Sequence, residues 1–397
     1  MTLALLEPVL LLVTATAASA GLLILQLGLR RVFAVAPRLK PAQEAPAPDT
    51  SLTVVIPAFN EAHNIADCLG SVLASAPPCR DWSVVVVDDE STDATVENAI
   101  RAGSTASRFR LIKAGPRPAD ERWVGKNWAC SRAVEQVSSD WLLFIDADVR
   151  LKPDALQRSL AQAVDEHADL LSLAPRLSCG CLAEWMVQPI MASLLGLGFP
   201  ILETNDPESP VAFAAGPFML FKASTYECIG GHRALAGEVV EDLALARAIK
   251  AGGYRLSYLL GLDAVDLRMY ADLAALWEGW TKNWFIGLDR DPGKAIGAAL
   301  VVVLMFTAPW LLLPTSLVLL WLQPVLSVAW LWLMALAGLA IVQQLLLRLW
   351  TRSTFDVPIR YWYLMGVGGL LVGAIGPVSI WRTRTGRGWT WKGRALG

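Results

Sequence analysis

Four apolar stretches constrain this chain more than anything else in it. Residues 9–29 are almost wholly apolar and, at 21 residues, just long enough to span a bilayer. From about residue 295 the chain turns apolar again, with spans expected over 296–320, 325–347 and 360–381. Hydrophobic residues make up 54% of the 397 and charged residues 18%, and the mean hydropathy is +0.44, too apolar for an ordinary soluble protein. The excess sits at the two ends, so membrane segments should flank a more polar domain.

The charges beside these stretches suggest an orientation. Arg30, Arg31, Arg38 and Lys40 follow the first, while only Glu7 precedes it. Ala18-Ser19-Ala20 resembles a cleavage site, but a signal peptide carries its positive charge in front. An uncleaved anchor with its C-terminal side in the cytoplasm is the reading adopted. Near the other end, Arg348, Arg352 and Arg360 lie between the last two spans, and Arg382, Arg384, Arg387, Lys392 and Arg394 follow the last. Four full spans would put those five basic residues outside, against the positive-inside rule. The glycine-rich 360–381 is therefore the candidate for a re-entrant segment. The expected layout is an anchor over 1–30, a basic and Pro-rich linker over 31–50, and a cytoplasmic domain over 51–294. About three membrane segments over 295–381 and a basic tail over 382–397 complete it. The expected location is the cell (inner) membrane, multi-pass. A net charge of −2 gives no nucleic-acid signal. Six cysteines without metal-ligand spacing read as reduced thiols.

From Leu52 the pattern alternates strand and helix. Leu52–Ile56 is a strand ended by Pro57, and 60–74 a helix. Trp82–Val87 is a buried strand ended by Asp88-Asp89, and Ser91-Thr92-Asp93 caps a helix over 94–102. Phe109–Ile112 is a short strand, and 126–137 a helix leading into the apolar run Trp141–Ile145. This order predicts an α/β fold with a mostly parallel sheet and ligands at the strand C-termini. The apolar segment 182–202, which contains Glu184 and Gln188 and is followed by Glu203, reads as an amphipathic helix at a membrane surface or as a core helix.

Acidic groups end three successive elements. They are Asp88-Asp89, Asp146-Ala147-Asp148 after Trp141–Ile145, and Glu241-Asp242 at the start of a helix over 239–251. In an extended chain residues i and i+2 share a side. Asp146 and Asp148 then form either a two-carboxylate seat for Mg²⁺ or Mn²⁺ or a solvated acidic turn. A metal-bound diphosphate also wants nearby cations, and Lys126 and Arg132 precede that strand. Phe59, after the first strand, is placed to stack on a base.

In combination, three stretches resemble the family 2 inverting glycosyltransferases. They are Val55-Ile56-Pro57-Ala58-Phe59-Asn60-Glu61, Val85-Val86-Val87-Asp88-Asp89-Glu90-Ser91-Thr92-Asp93-Ala94-Thr95 and Phe144-Ile145-Asp146-Ala147-Asp148. The resemblance implies a GT-A nucleotide-sugar-binding fold flanked by transmembrane helices. It implies that Pro57, Phe59, Glu61 and Asp89 serve the nucleotide, and that Asp146 and Asp148 hold the metal and diphosphate with Lys126 nearby. It also makes Asp242, beside Glu241, the general base. The membrane layout, Trp123-Val124-Gly125-Lys126-Asn127-Trp128-Ala129, Gly230-Gly231-His232 and Thr390-Trp391-Lys392-Gly393-Arg394 look like the hopene-associated and carotenoid glycosyltransferases. Ceramide glucosyltransferase is a more distant likeness. One departure stands out. Where many membrane members carry Gln-x-x-Arg-Trp, this chain has Trp280-Thr281-Lys282-Asn283-Trp284, leaving Lys282 as the candidate cation.

The function expected is transfer of a sugar from a nucleotide sugar, UDP-linked by expectation, to a hydroxyl of a lipid or isoprenoid acceptor. Two alternatives stand beside it. One is a sugar transferase acting on a polyprenyl phosphate. The other is a polysaccharide synthase or transporter, which the few C-terminal apolar segments without internal charge disfavour.

Overall fold

The computed structural model describes residues 2–42, 49–198, 201–355, 357–388 and 390–395. Residues 43–48 of the expected linker lie outside the described residues. The chain forms two compact units, one of Val35–Ser178 with Phe199–Met269 and the other of Met1–Ala34, Cys179–Gly198 and Tyr270–Gly397. The expected 51–294 domain is thus divided, with 179–198 and 270–294 grouping with the apolar helices.

The first unit is built on a seven-stranded sheet. Its strands are β1 (Ser51–Ala58), β2 (Asp81–Asp88), β3 (Phe109–Lys113), β4 (Trp141–Ile145), β6 (Leu170–Ala174), β8 (Phe218–Lys222) and β9 (Leu256–Leu260). The short strands β5 (Val149–Leu151), β7 (Arg176–Leu177) and β10 (Val265–Leu267) form a second sheet, in the order β5-β10-β7. The large sheet runs β3-β2-β1-β4-β8-β6-β9. Its pairings are parallel except those of β8, which lies antiparallel between β4 and β6. Both faces of the central strands are covered. Val54, Val55 and Ile56 of β1, Val84 through Val87 of β2 and Leu142 through Ile145 of β4 are all buried. This is why their sequences are continuous apolar runs rather than alternating ones. Each such side chain contributes about 1.5–3 kcal/mol on burial.

The second unit holds four helices long and apolar enough to cross a membrane: Leu6–Val35, Pro292–Leu322, Pro324–Phe355 and Trp362–Thr385. These make the chain membrane-associated. Many of their exposed side chains are large and apolar, among them Ile24, Leu300, Leu311, Trp321 and Trp332. Their polar groups meet inside. Ser19 Oγ donates to Gln343 Oε1 (3.1 Å) and Gln26 Nε2 to the Gln343 carbonyl (2.8 Å). A π-helical turn over Val303–Thr307 loosens the backbone ladder there. Gln344 Nε2 donates to the carbonyls of Met305 (3.0 Å) and Phe306 (3.1 Å) at that turn. Lipid offers no such partner, so the turn depends on a polar side chain from a neighbouring helix.

Two expectations change here. The glycine-rich stretch is not re-entrant but an unbroken helix, Met365–Thr385. Its glycines mark close packing within the unit. A Cβ on Gly368 would lie 2.1 Å from the Met186 carbonyl oxygen, and one on Gly369 2.5 Å from Thr307 Oγ1. The Leu182–Gly198 helix buries its polar side chains instead of presenting them outward. Glu184 accepts from the backbone N–H groups of Tyr270 (2.9 Å) and Gly180 (2.8 Å), and Gln188 accepts from Trp280 Nε1 (2.9 Å). Trp280, Trp284 and Phe285 are likewise buried.

Substituting Gly368→Val should therefore overpack the helical unit and destabilise it by about 1–3 kcal/mol. Thermal unfolding of the detergent-solubilised protein should show a clearly lowered transition, and an unchanged one would contradict this packing.

Candidate active site

The site begins where β1 and β2 end together. Their in-register parallel pairing sets Ala58 beside Asp88, so Phe59 and Asp89 leave the sheet side by side. The Asp89 N–H donates to the Ala58 carbonyl (2.9 Å). The two following loops are stitched to each other. Asn60 takes a left-handed backbone (φ 51°). Its N–H donates to Ser91 Oγ (3.0 Å) and its Oδ1 accepts from the Thr92 N–H (2.9 Å). The N–H groups of Glu61 and Ala62 reach Thr95 Oγ1 (2.7 Å) and Asp93 Oδ2 (3.1 Å). Asp88 Oδ1 accepts from the Ser91 N–H (3.2 Å). Asp88, Ser91, Asp93 and Thr95 thus act as turn and loop braces. Asp89 differs. It is buried and meets Arg117 Nη2 at 2.5 Å. Pro57, Phe59 and Glu61 are part-buried at the same edge.

The next contribution comes from β4. The strand stops at Ile145, and Asp146 through Val149 make a turn closed by Val149 N–H to the Asp146 carbonyl (3.1 Å). The alternation of an extended chain therefore does not set the relation of Asp146 to Asp148, and that part of the sequence argument is corrected. Both carboxylates remain at the C-terminal edge of the sheet.

Lys126 links this turn to the third acidic site. It lies in the first turn of the Gly125–Val134 helix. Its Nζ is 2.6 Å from Asp146 Oδ1 and 2.7 Å from Glu241 Oε1. Burial works against the Lys126 charge, but the two carboxylates outweigh it and hold the ammonium well above its ordinary pKa. Neighbouring Gly125 leaves no room for a side chain, because a Cβ would lie 2.5 Å from Asp89 Oδ2. Asn127, fully buried, donates through Nδ2 to the carbonyls of Leu235 (2.6 Å) and Glu238 (2.9 Å), and Val124 N–H reaches the Ala236 carbonyl (2.8 Å). The segment 124–127 thus fixes the loop that delivers Glu241 and Asp242.

Glu241 and Asp242 open the helix Glu241–Ala251. Asp242 accepts from the N–H groups of Leu243 (2.8 Å) and Gly216 (3.0 Å). Its carboxyl is nevertheless pushed up to about 6. Burial is the first cause and the Glu241 charge the second, partly offset by Lys126 and those two N–H groups. Beneath β4, His232 N–H donates to Tyr226 Oη (2.9 Å), and the same oxygen shares a second hydrogen bond with His232 Nδ1 (2.6 Å). Burial first, helped by Lys126 and opposed by Glu241, holds that imidazole neutral down to about 3.

Two carboxylates are the hard oxygen donors that Mg²⁺ and Mn²⁺ take, and such ions complete their shell with phosphate oxygens and water. Among the described residues no group of three or more His, Cys, Asp or Glu is arranged to hold a metal. Asp146 and Asp148 are two oxygen donors at one sheet edge, too few for a cage made of protein alone. Of the other expected cations, Arg132 pairs with Glu135 along its own helix. Lys282 lies on the Leu273–Gly287 helix of the second unit. Sequence reasoning missed Arg117, Gly216 and the Tyr226–His232 pair. It quoted Asn127 within a motif without giving it a role.

Comparison with known proteins follows the same lines. Residues 53–230 match the profile of glycosyl transferase family 2. Over 251 residues it is 29% identical to "4,4'-diaponeurosporenoate glycosyltransferase" from Staphylococcus aureus strains MRSA252 and bovine RF122 / ET3-1. That match takes in 62% of this chain and spans 64% of the length of those relatives. Among solved structures, it resembles the mannosyltransferase PcManGT from Pyrobaculum calidifontis, determined in complex with GDP-Man and Mn²⁺. The TM-score is 0.51 at 19% identity, over 94% of this chain and 99% of that one. The fold is GT-A.

Because Asp89 is buried against the Arg117 guanidinium, Arg117→Met should remove a charge partner of that carboxylate. A loss of about 3 kcal/mol in folding stability is expected, read by chemical denaturation. A loss below about 1 kcal/mol would show that Asp89 does not depend on Arg117.

Proposed function

We propose that this chain is a membrane-anchored inverting glycosyltransferase. It moves a sugar from a nucleotide sugar, UDP-linked in our reading, to a hydroxyl of a lipid acceptor of isoprenoid type. The observation that carries the proposal is the convergence at one sheet edge of Asp89, Asp146, Lys126, Glu241 and Asp242, the last with its carboxyl pushed up to about 6. The activity named for the Staphylococcus aureus relatives supports an isoprenoid acceptor; that name is of a carboxylate, and the hydroxyl is our own reading. The four apolar helices and the basic residues after the first support a multi-pass protein of the cell membrane with the sheet domain in the cytoplasm.

In this reading Pro57, Phe59, Glu61 and Asp89 bind the nucleoside, with Arg117 orienting Asp89. Asp146 and Asp148 hold Mg²⁺ or Mn²⁺, which would neutralise the diphosphate and so make it a better leaving group. Asp242 accepts the proton of the acceptor hydroxyl. That oxygen bonds to the anomeric carbon as the bond to the diphosphate oxygen breaks, and the nucleoside diphosphate leaves with the electron pair. One displacement inverts the anomeric centre and needs no enzyme nucleophile. Glu241 raises the Asp242 pKa and anchors Lys126, whose charge stabilises the departing phosphate. Lys282 is proposed as a further cation for that phosphate.

A base must be ionised to accept a proton. With its carboxyl near 6, Asp242 is inactive below that pH and competent above it. The acid limb of kcat/KM should therefore have an apparent pKa of about 6. Asp242→Asn should lower kcat by at least about a hundredfold with little change in donor binding, and should remove that limb. Full transfer in a folded Asp242→Asn protein would rule the base out, and would favour a phosphate acceptor that needs none. The broader test incubates membranes with a panel of labelled nucleotide sugars and identifies labelled lipid by mass spectrometry. One donor should label a lipid, and label entering only a polymer would contradict the proposal.

A further inference from the structure

The Lys126 ammonium sits where a metal ion would have to bind. Its Nζ lies 2.6 Å from Asp146 Oδ1, in the carboxylate pair that the proposed function gives to the cation. It also lies 2.7 Å from Glu241 Oε1, a side chain only 10% exposed. Two carboxylates thus share one ammonium, and the cluster keeps a negative charge that draws cations. A divalent ion arriving on Asp146 would meet a positive charge already in hydrogen-bond contact with that carboxylate. The two side chains are 24% and 30% exposed, and cations sharing this one carboxylate would repel each other across a few ångströms.

The backbones that carry the two carboxylates are held in place, so Lys126 can change partners without moving them. Glu241 is fixed at the start of its helix by the loop that Asn127 and Val124 grip. Asp146 is fixed in its turn by the Val149 N–H bond. Lysine, by contrast, carries its charge on a flexible four-carbon stem.

We propose that Lys126 is a resident counter-cation. It holds Asp146 in the empty enzyme and must yield that carboxylate to the divalent ion, passing its own charge to the donor diphosphate. The proposal rests on the reading of Asp146 as a metal seat. It predicts that metal alone binds weakly. A diphosphate, by giving Lys126 another anion, then makes the two ligands bind synergistically.

The test measures Mn²⁺ binding to the purified full-length protein in detergent, without donor, by electron paramagnetic resonance of the free ion. Lys126→Met and Lys126→Gln, which remove the competing charge, should bind Mn²⁺ about tenfold or more tightly than the unaltered protein. Lys126→Arg should bind as weakly as the unaltered protein. Neutral variants that bind no more tightly overturn the proposal. The Gln variant keeps hydrogen-bond donors for both carboxylates should the Met variant not fold. A second measurement needs no variant. Saturating Mn²⁺ should raise the labelling of Lys126 by an amine-reactive reagent, scored by mass spectrometry, and unchanged labelling overturns the proposal. Asp146→Asn separates the levels of failure. Unaltered Mn²⁺ binding in that variant refutes the metal seat itself, whereas lost binding there with unchanged affinity in the Lys126 variants refutes only the role of Lys126.

Discussion

A single ammonium, Lys126 Nζ, connects two carboxylates that the chain delivers from places far apart in sequence. Asp146 comes from the end of the central strand β4 and Glu241 from the start of a helix nearly a hundred residues on. Buried charges of this kind are tolerated only when paired, and removing one partner typically costs about 3–5 kcal/mol. The pairing in turn demands its surroundings. Gly125 must lack a side chain for Lys126 to approach past Asp89. Asn127 must hold the 235–238 backbone for Glu241 and Asp242 to arrive at the right height. The donor side and the acceptor side of the proposed chemistry are thus set by one four-residue segment, 124–127.

The helical unit obeys a different physics. Its outer surface is apolar, so association among its helices relies on close approach and on polar contacts hidden inside. Glycines 366, 368, 369, 373 and 376 each face a neighbouring side chain or carbonyl so closely that a Cβ would clash. Glu184, Gln188, Gln343 and Gln344 spend their polar atoms on backbone groups and on Trp or Ser side chains of other segments. The end of the last long helix and the tail after it are also tied within this unit. Arg382 reaches Thr281 (2.8 Å), and Thr390 reaches Glu278 (2.5 Å).

Much of the sheet was legible because β1, β2 and β4 are buried on both faces and so read as unbroken apolar runs. The acids that end them were legible because carboxylates directly after such runs have few structural excuses. What stayed hidden depended on contacts distant in sequence. Arg117 sits in a Pro-flanked loop with no periodicity, and nothing local says that it meets Asp89. Asn127 looks like any polar helix residue until the 235–238 carbonyls surround it. Apolar pattern also misled in two places. Glycines in 360–381 suggested a broken segment because composition does not distinguish a flexible glycine from one packed under a carbonyl. Polar residues in 182–202 suggested a wet face when their partners were backbone N–H groups and an indole within the same unit. The i, i+2 argument for Asp146 and Asp148 failed because the strand ends one residue earlier than that geometry requires.

The account has one base, Asp242, and a donor site at the sheet edge, with no enzyme nucleophile between them. Its central claim is a single displacement. The most direct measurement is the anomeric configuration of the glycolipid formed from an α-linked nucleotide sugar, read by the proton coupling constant of the purified product. The account predicts a β-linked product. An α-linked product would mean that configuration is retained, and would contradict it.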